Sequence, residues 1–118
     1  LDIKQMDNKK HIALTHVSNK YTLEFAKYLA EHDQSVYLRY VVVPGITDSL
    51  KDAHSLGQFI QPMKNIEKIE MLPYHELGKH KWTAMGEIYP LDGVHPPSRE
   101  TMLAVQKVLL EYHDNVIF

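Results

Sequence analysis

The stretch VYLRYVVVPG, residues 36–45, decides the fold of this 118-residue chain. Apart from Arg39, its first eight residues are β-branched, aromatic or leucine, which predicts a strand covered on both faces. Pro44 and Gly45 end the strand, because proline has no amide hydrogen for a neighbouring strand and glycine turns freely.

A strand end and a helix precede this strand. Residues 1–6, LDIKQM, are typical of a strand whose beginning has been cut away, and residues 7–15 are polar and ambiguous, compatible with a short helix. Ser18 is a candidate N-cap for a helix that runs to about His32. Its apolar positions recur at helical spacing and are Tyr21, Phe25, Tyr28 and Leu29.

A helix and a third strand follow Gly45. Asp48 or Ser49 can cap this helix, and Pro62 stops it. Its predicted buried stripe consists of Leu50, Ala53, Leu56 and Ile60. Residues 66–72 form the third strand. Because strands and helices alternate with short links, the pattern predicts an α/β fold with parallel strands.

The regular pattern fails after this strand. Residues 75–97 form a long segment with three glycines and three prolines, and segments of this length are usually functional or disordered. Ser98 then caps a helix with Met102, Val105, Leu109 and Tyr112 on one face, and residues 115–118 are a candidate short strand. Three strands do not close a barrel, so we expect an open sheet edge beside residues 1–6, which favours self-association.

Composition excludes several classes of function. Thirteen basic and fifteen acidic side chains give a net charge of −2, which gives no reason to expect a nucleic acid or an acidic membrane surface as a partner. The chain has no cysteine, which excludes a disulfide framework, a thiolate nucleophile and a cysteine-ligated metal within these residues, and fits a cytoplasmic protein. No apolar run approaches the length of a membrane span.

Three sets of polar residues lie where parallel α/β folds bind small molecules, at the ends of strands. Asp2 and Lys4 fall on one side of the first strand. Asp2 could bind an amine or a ribose, and Lys4 could bind a carboxylate. Alternatively, the two residues are a solvated or ion-paired strand end. Arg39 could bind a carboxylate or phosphate, or form a structural ion pair with Asp2 or Glu70.

His75 follows the third strand directly and could stack on a nucleoside, or have no role. We expect Asp2, Lys4, Arg39 and His75 to converge on one cleft.

The pairs His11/His16 and His75/His80 have a spacing that zinc sites rarely use, so we predict no metal site. Trp82 in the run KHKW, residues 79–82, could contact a protein partner or fill the core.

Four segments carry a resemblance to a known family: residues 2–6 (DIKQM), 39–45 (RYVVVPG), 72–82 (LPYHELGKHKW) and 91–93 (LDG). In this order, and over essentially the whole chain, the sequence resembles the pyruvate formate-lyase activating enzymes. These are oxidoreductases of the radical S-adenosylmethionine superfamily and act in anaerobic glucose metabolism.

The resemblance implies a fold and a reaction. The fold would be the C-terminal half of a partial (β/α)6 TIM-like barrel with a C-terminal helix, so that residues 1–118 form the C-terminal part of a radical S-adenosylmethionine domain. In the family, a reduced [4Fe–4S] cluster cleaves S-adenosylmethionine, and the 5′-deoxyadenosyl radical removes a hydrogen from a glycine of pyruvate formate-lyase.

The resemblance also implies site residues and partners. Asp2, Ile3, Lys4 and Arg39 match the segments that contact S-adenosylmethionine, and Leu72 and His75 match contacts on its adenosyl side. The partners would be the glycyl-radical domain of pyruvate formate-lyase and an electron donor such as flavodoxin. The cluster-binding Cys-x3-Cys-x2-Cys motif of the family is absent from these residues, so we expect the fragment alone to be inactive.

Two alternatives remain open at this point. The chain could belong to an activating enzyme for another glycyl-radical enzyme, or it could be a non-catalytic binding module. An in-frame Cys-x3-Cys-x2-Cys motif upstream would favour an enzyme, whereas a start codon close to Leu1 would favour the module.

Overall fold

The computed structural model describes residues 1–74 and 95–118 of the chain. These residues form four helices and three strands. In chain order the elements are α1 (Asn8–Thr15), α2 (Lys20–Glu31), β1 (Val36–Val42), α3 (Leu50–Ile60), β2 (Ile66–Pro73), α4 (Arg99–Leu110) and β3 (Val116–Ile117).

The strands form one parallel sheet in the order β1-β2-β3. The N-terminal residues extend the sheet past β1, where Asp2 forms a parallel bridge with Arg39. The amide of Arg39 donates to the carbonyl of Leu1 at 2.8 Å, and the amide of Ile3 donates to the carbonyl of Arg39 at 3.3 Å. The predicted α/β class with parallel strands and a helix near the C-terminus is therefore confirmed.

A β-bulge interrupts the pairing of β1 with β2. Val36 pairs with Ile66, but the next residue, Tyr37, pairs with Lys68, so Glu67 is an extra residue in β2. Beyond the bulge the register is regular up to the pair Val42 and Pro73. The side chain of Glu67 is exposed and accepts a hydrogen bond from the Ser35 hydroxyl at 3.0 Å.

The hydrophobic core lies on one face of the sheet. Along β1, Leu38, Tyr40 and Val42 are buried, whereas Tyr37 is 60% exposed and Arg39 is also exposed. The buried residues form one cluster with apolar side chains of α3 and α4, which are Ala53, Leu56, Ile60, Met102, Val105, Val108 and Leu109. The expectation that β1 is covered on both faces is wrong for the described residues, because the helices that pack on it share one side.

Helix N-termini follow the sequence signals closely. Ser49 and Ser98 cap α3 and α4, each accepting the amide of the residue three positions later, and Asp7 caps α1 in the same way. The N-cap of α2 is Asn19 and not Ser18, although the Ser18 hydroxyl accepts the amide of Lys20 at 3.1 Å.

Three of the apolar residues that recur along α2, and one member of the predicted buried stripe of α3, are exposed. On α2, Tyr21, Phe25 and Tyr28 are 76%, 53% and 53% exposed, while Ala26 is buried. The three aromatic side chains therefore do not form the buried face of α2. On α3, Leu50 is 48% exposed, because it is the first residue of the helix, while the other predicted members of that stripe are buried.

Helices α3 and α4 meet around a glycine. Gly57 is buried in α3 beneath the ring of Tyr112, which follows α4. A Cβ atom built on Gly57 would lie 2.5 Å from Cγ of Tyr112 and 2.6 Å from its Cε2. The hydroxyl of the same tyrosine shares a hydrogen bond with Nδ1 of His54 at 2.7 Å. The absence of a side chain at Gly57 therefore sets how closely the helices approach.

Candidate functional site

The exposed face of the sheet carries a row of charged residues. Arg39 on β1 pairs with Asp2 on one side and with Glu70 of β2 on the other. The side chains of paired residues in neighbouring strands point to the same face. This row therefore places a guanidinium between two carboxylates on the side of the sheet that the helices leave uncovered.

Arg39 is not held in a structural ion pair within residues 1–74 and 95–118. No carboxylate of this part of the chain lies within 4 Å of its guanidinium, and the salt bridges found there join other residues. Glu70 instead lies 3.9 Å from Lys68, whose ammonium also lies 4.8 Å from the centroid of the Tyr37 ring. As far as residues 1–74 and 95–118 show, the five donors of the guanidinium have no carboxylate partner, and they suit an anionic ligand.

Lys4 and Leu72, two other predicted site residues, lie on the same face of the sheet as Arg39. Lys4 is exposed and lies two residues beyond Asp2, so by alternation it lies on the same face. Leu72 is half-buried and pairs with Val41, one of the residues of β1 outside the core-facing set. Arg39 is central in β1 and not at its end, so the shared feature is the face of the sheet.

For two predicted contacts, Ile3 and His75, the structure describes no side chain on this face. Ile3 is 2% exposed and belongs to the core, so its side chain is unavailable, and only its backbone could contact a ligand. His75 lies outside the described residues, as do His80 and Trp82.

A buried polar cluster that sequence reasoning missed lies behind this face. Gln5 is fully buried, and Asp52 near the start of α3 is 5% exposed. Nε2 of Gln5 donates to the carbonyl of Ile46 at 2.6 Å and to Oδ2 of Asp52 at 3.2 Å. The Lys10 ammonium donates to the same carboxylate oxygen at 2.9 Å. The signal was present in the sequence, since Gln5 occupies the same strand parity as the buried Ile3.

Local electrostatics in this cluster are set by hydrogen bonding and burial. The hydrogen bond to Asp52 raises the pKa of Lys10 above its usual value, so this ammonium stays charged. Burial raises the pKa of Tyr40 well above its ordinary range, and its hydroxyl donates to the carbonyl of Thr47 at 2.9 Å. Tyr40 is therefore a neutral structural residue and not a base.

Two other kinds of feature, a cluster of metal ligands and a membrane-spanning helix, are not found among the described residues. Within 1–74 and 95–118, no group of three or more histidine or acidic side chains is arranged to hold a metal ion. The longest helices there have 12 residues, and none is long and apolar enough to cross a membrane.

Comparisons with known proteins point to one kind of enzyme. Over all 118 residues the chain is 58% identical to pyruvate formate-lyase 1-activating enzyme of Escherichia coli, and it covers 48% of that protein. It is 49% identical over 102 residues to pyruvate formate-lyase-activating enzyme of Staphylococcus epidermidis, covering 86% of the chain and 41% of that protein. No family model matches the chain.

A solved structure has the same fold. A domain of pyruvate-formate lyase-activating enzyme from Bacteroides vulgatus matches 99% of the chain and 64% of its own length, with a TM-score of 0.80 and 24% identity. This match shows the fold, and the curated relatives add the similarity in sequence. The resemblance to the pyruvate formate-lyase-activating enzymes is thereby confirmed, over a stretch that spans about half the length of the curated relatives.

Proposed function

We propose that this chain is part of an enzyme that activates pyruvate formate-lyase by forming a glycyl radical, and that the exposed face of its sheet binds S-adenosylmethionine. The relatives named above are activating enzymes of this kind. The observation that carries the proposal is Arg39, a guanidinium in the middle of a strand, next to Asp2 and without an ion-pair partner in the described residues.

The chemistry of these side chains fits S-adenosylmethionine. The ligand has an α-carboxylate, an α-ammonium, ribose hydroxyls and an adenine ring. Arg39 and Lys4 are cations that suit the carboxylate, and Asp2 is an acceptor for the ammonium or the ribose hydroxyls. Leu72 offers an apolar side chain to the adenosyl part, and His75 is proposed to contact the same part.

The contribution of these residues is to bind and orient. When bound beside a reduced [4Fe–4S] cluster, S-adenosylmethionine supplies the species that removes hydrogen from the target glycine. The cluster itself does not fit this chain, because iron–sulfur clusters of this type need thiolates and the chain has no cysteine. We therefore assign to Asp2, Lys4 and Arg39 the placement of the ligand, and to the sheet face the exclusion of water around it.

The partners follow from the same proposal. The target would be the glycyl-radical domain of pyruvate formate-lyase, the electron donor a protein such as flavodoxin, and the compartment the cytoplasm. An activating enzyme for another glycyl-radical enzyme would share the same S-adenosylmethionine site and differ in its target. A non-catalytic binding module would share neither the cleavage reaction nor its product.

The test uses the protein expressed at its natural length and reconstituted anaerobically. We expect 5′-deoxyadenosine and an electron paramagnetic resonance signal of a glycyl radical when pyruvate formate-lyase is added. Arg39→Ala should weaken S-adenosylmethionine binding about ten- to a hundredfold, because a hydrogen bond to a charged group contributes roughly 1.5–3 kcal/mol. Lys51→Ala, which removes an exposed cation from the helical side of the sheet, is the matched control.

Each outcome separates the candidates. Cleavage without a radical on pyruvate formate-lyase, but with one on a different glycyl-radical enzyme, would assign another target. No cleavage product and no ligand binding would favour the binding module. Equal loss of S-adenosylmethionine binding in Arg39→Ala and Lys51→Ala would show that Arg39 does not contact the ligand.

A further inference from the structure

We propose that Gln5 is a positioning residue that holds Asp2 and Lys4 in place through a closed circuit of hydrogen bonds, of which the one between Gln5 and Asp52 is buried. The inference rests on the S-adenosylmethionine site proposed above and adds a residue that does not itself face the ligand. Its starting point is the alternating burial of the N-terminal segment, residues 1–6: Asp2 and Lys4 are exposed, whereas Ile3 and Gln5 are buried.

The amide of Gln5 can adopt only one orientation here. Its Nε2 faces the carbonyl of Ile46 and the carboxylate of Asp52, which accept hydrogen bonds, and its Oε1 accepts the backbone amide of Asp7 at 3.2 Å. A flipped amide would set oxygen against two acceptors and nitrogen against a donor. The side chain therefore has one rotamer and one flip state that satisfy all three partners.

The contacts form a circuit that returns to the strand. Asp7 caps α1 by accepting the amide of Lys10 at 3.0 Å. The ammonium of Lys10 then donates to Oδ2 of Asp52 at 2.9 Å, and the same oxygen accepts from Gln5. The strand end, the start of α1 and the start of α3 are thus tied together, with a carboxylate that is 6% exposed at the centre.

The main chain at this point is held as well. Nδ2 of Asn19, the buried N-cap of α2, donates to the carbonyl of Gln5 at 3.1 Å and to that of Met6 at 2.9 Å. Both the side chain and the carbonyl of the residue after Lys4 are therefore fixed. Asp2 and Lys4 have no side-chain partners in the described residues, so their placement depends on this backbone.

The test compares three variants in the protein of natural length. Gln5→Met keeps the length of the side chain and removes its three hydrogen bonds. Asp52→Asn keeps the shape of the circuit and removes its charge. The stability control is a substitution of Ile60, at the far end of α3, by valine or alanine. Of these two variants, the control is the one that loses as much unfolding free energy as Gln5→Met does.

Two readouts are measured, the dissociation constant of S-adenosylmethionine and hydrogen–deuterium exchange of residues 1–6. We expect Gln5→Met to weaken binding about tenfold, since displacement of a binding group by a fraction of an ångström is costly. We also expect faster exchange at Ile3, whose amide donates to the carbonyl of Arg39. Asp52→Asn should have a smaller effect in both readouts. The Ile60 control should leave both unchanged.

Three results would overturn the proposal: exchange of residues 1–6 that does not change in Gln5→Met, binding that does not change while Lys4→Ala weakens it, or an Ile60 control that weakens binding as much as Gln5→Met. If the protein does not bind S-adenosylmethionine at all, the proposed function fails. The positioning role is then decided by the exchange measurement alone.

Discussion

Gly57→Ala should destabilise the protein, although alanine normally stabilises a helix relative to glycine. The intrinsic gain is roughly 0.5–1 kcal/mol. Against it stands the ring of Tyr112, because the new Cβ would lie 2.5 Å from Cγ of that ring, well inside the roughly 3.5–4.0 Å of an ordinary carbon contact. Overpacking of this kind costs about 1–3 kcal/mol.

Moving the ring aside does not remove the cost. The Tyr112 hydroxyl shares a 2.7 Å hydrogen bond with His54, and losing it costs about 0.5–1.5 kcal/mol. Together the three effects give a net loss of about 0.5–4 kcal/mol. Urea denaturation of wild type and variant measures this difference directly.

The identity of the clash is tested by a double-mutant cycle. In a Tyr112→Ala background the obstacle is gone, and Gly57→Ala should then stabilise by roughly 0.5–1 kcal/mol. Gly45→Ala is the matched control: Gly45 has φ +78° with open space around its missing Cβ, so its cost arises from the backbone and should be the same in both backgrounds. If Gly57→Ala alone raises stability, the reasoning about this helix contact is wrong.

Three further predictions concern acid stability, cofactor content and association. The hydrogen bond from the Lys10 amide lowers the pKa of Asp7, so its cap contributes fully above the ordinary carboxyl pKa, and this contribution is lost as pH falls through the lower folded value. Asp7→Asn should flatten the stability profile on the acid side of about pH 4, and a profile identical to wild type would contradict this. The 118-residue chain alone, having no cysteine, should acquire neither cluster absorbance nor 5′-deoxyadenosine production on anaerobic reconstitution with iron and sulfide, and the appearance of both would refute the expectation. The same chain should self-associate through the strand edge at residues 1–6, which light scattering would show as a mass that rises with concentration, whereas a sharp monomer at high concentration would contradict it.

The sequence predicted those parts of the fold that depend on neighbours along the chain. Ser98 was identified as a cap and Ser49 as one of two candidates with Asp48, and in the structure each of the two serines accepts the amide three residues further on. The parallel arrangement followed from the alternation of strands and helices. The buried positions of α3 after its first residue followed from helical spacing.

The misses have a common physical origin in contacts distant along the chain. The near-continuous apolar run of β1 does not reveal that one face lacks a covering layer among the described residues, since tyrosine and valine are tolerated on both faces. The aromatic residues of α2 are apolar enough to mimic a core stripe, yet the residue that faces inward is Ala26. Alternation with Ile3 indicates that Gln5 is buried, but its partners lie 41 and 47 positions away, and no local pattern identifies them.

The candidate site was predicted in its residues more than in its geometry. Asp2 and Arg39 were singled out as polar residues in apolar strands, and they form a bridge in the sheet. Ile3 was included because the resemblance implies that it contacts S-adenosylmethionine, and its burial leaves only its backbone available. Spacing alone did not separate side-chain contacts from main-chain contacts.

The bulge at Glu67 determines which of the later residues of β2 face the core and which face the opposite side. The buried positions of that strand are Ile66, Ile69 and Met71, an interval of three and then of two, and the extra residue accounts for the longer interval. Removing it would slide the strand by one position and exchange its two faces. Ile69 and Met71 would then stand with the ligand-side residues, and Glu70 would enter the core. The chain should therefore tolerate many substitutions of Glu67 but not its deletion. Natural variation should preserve the number of residues in β2 at this point, and not the residue type at position 67.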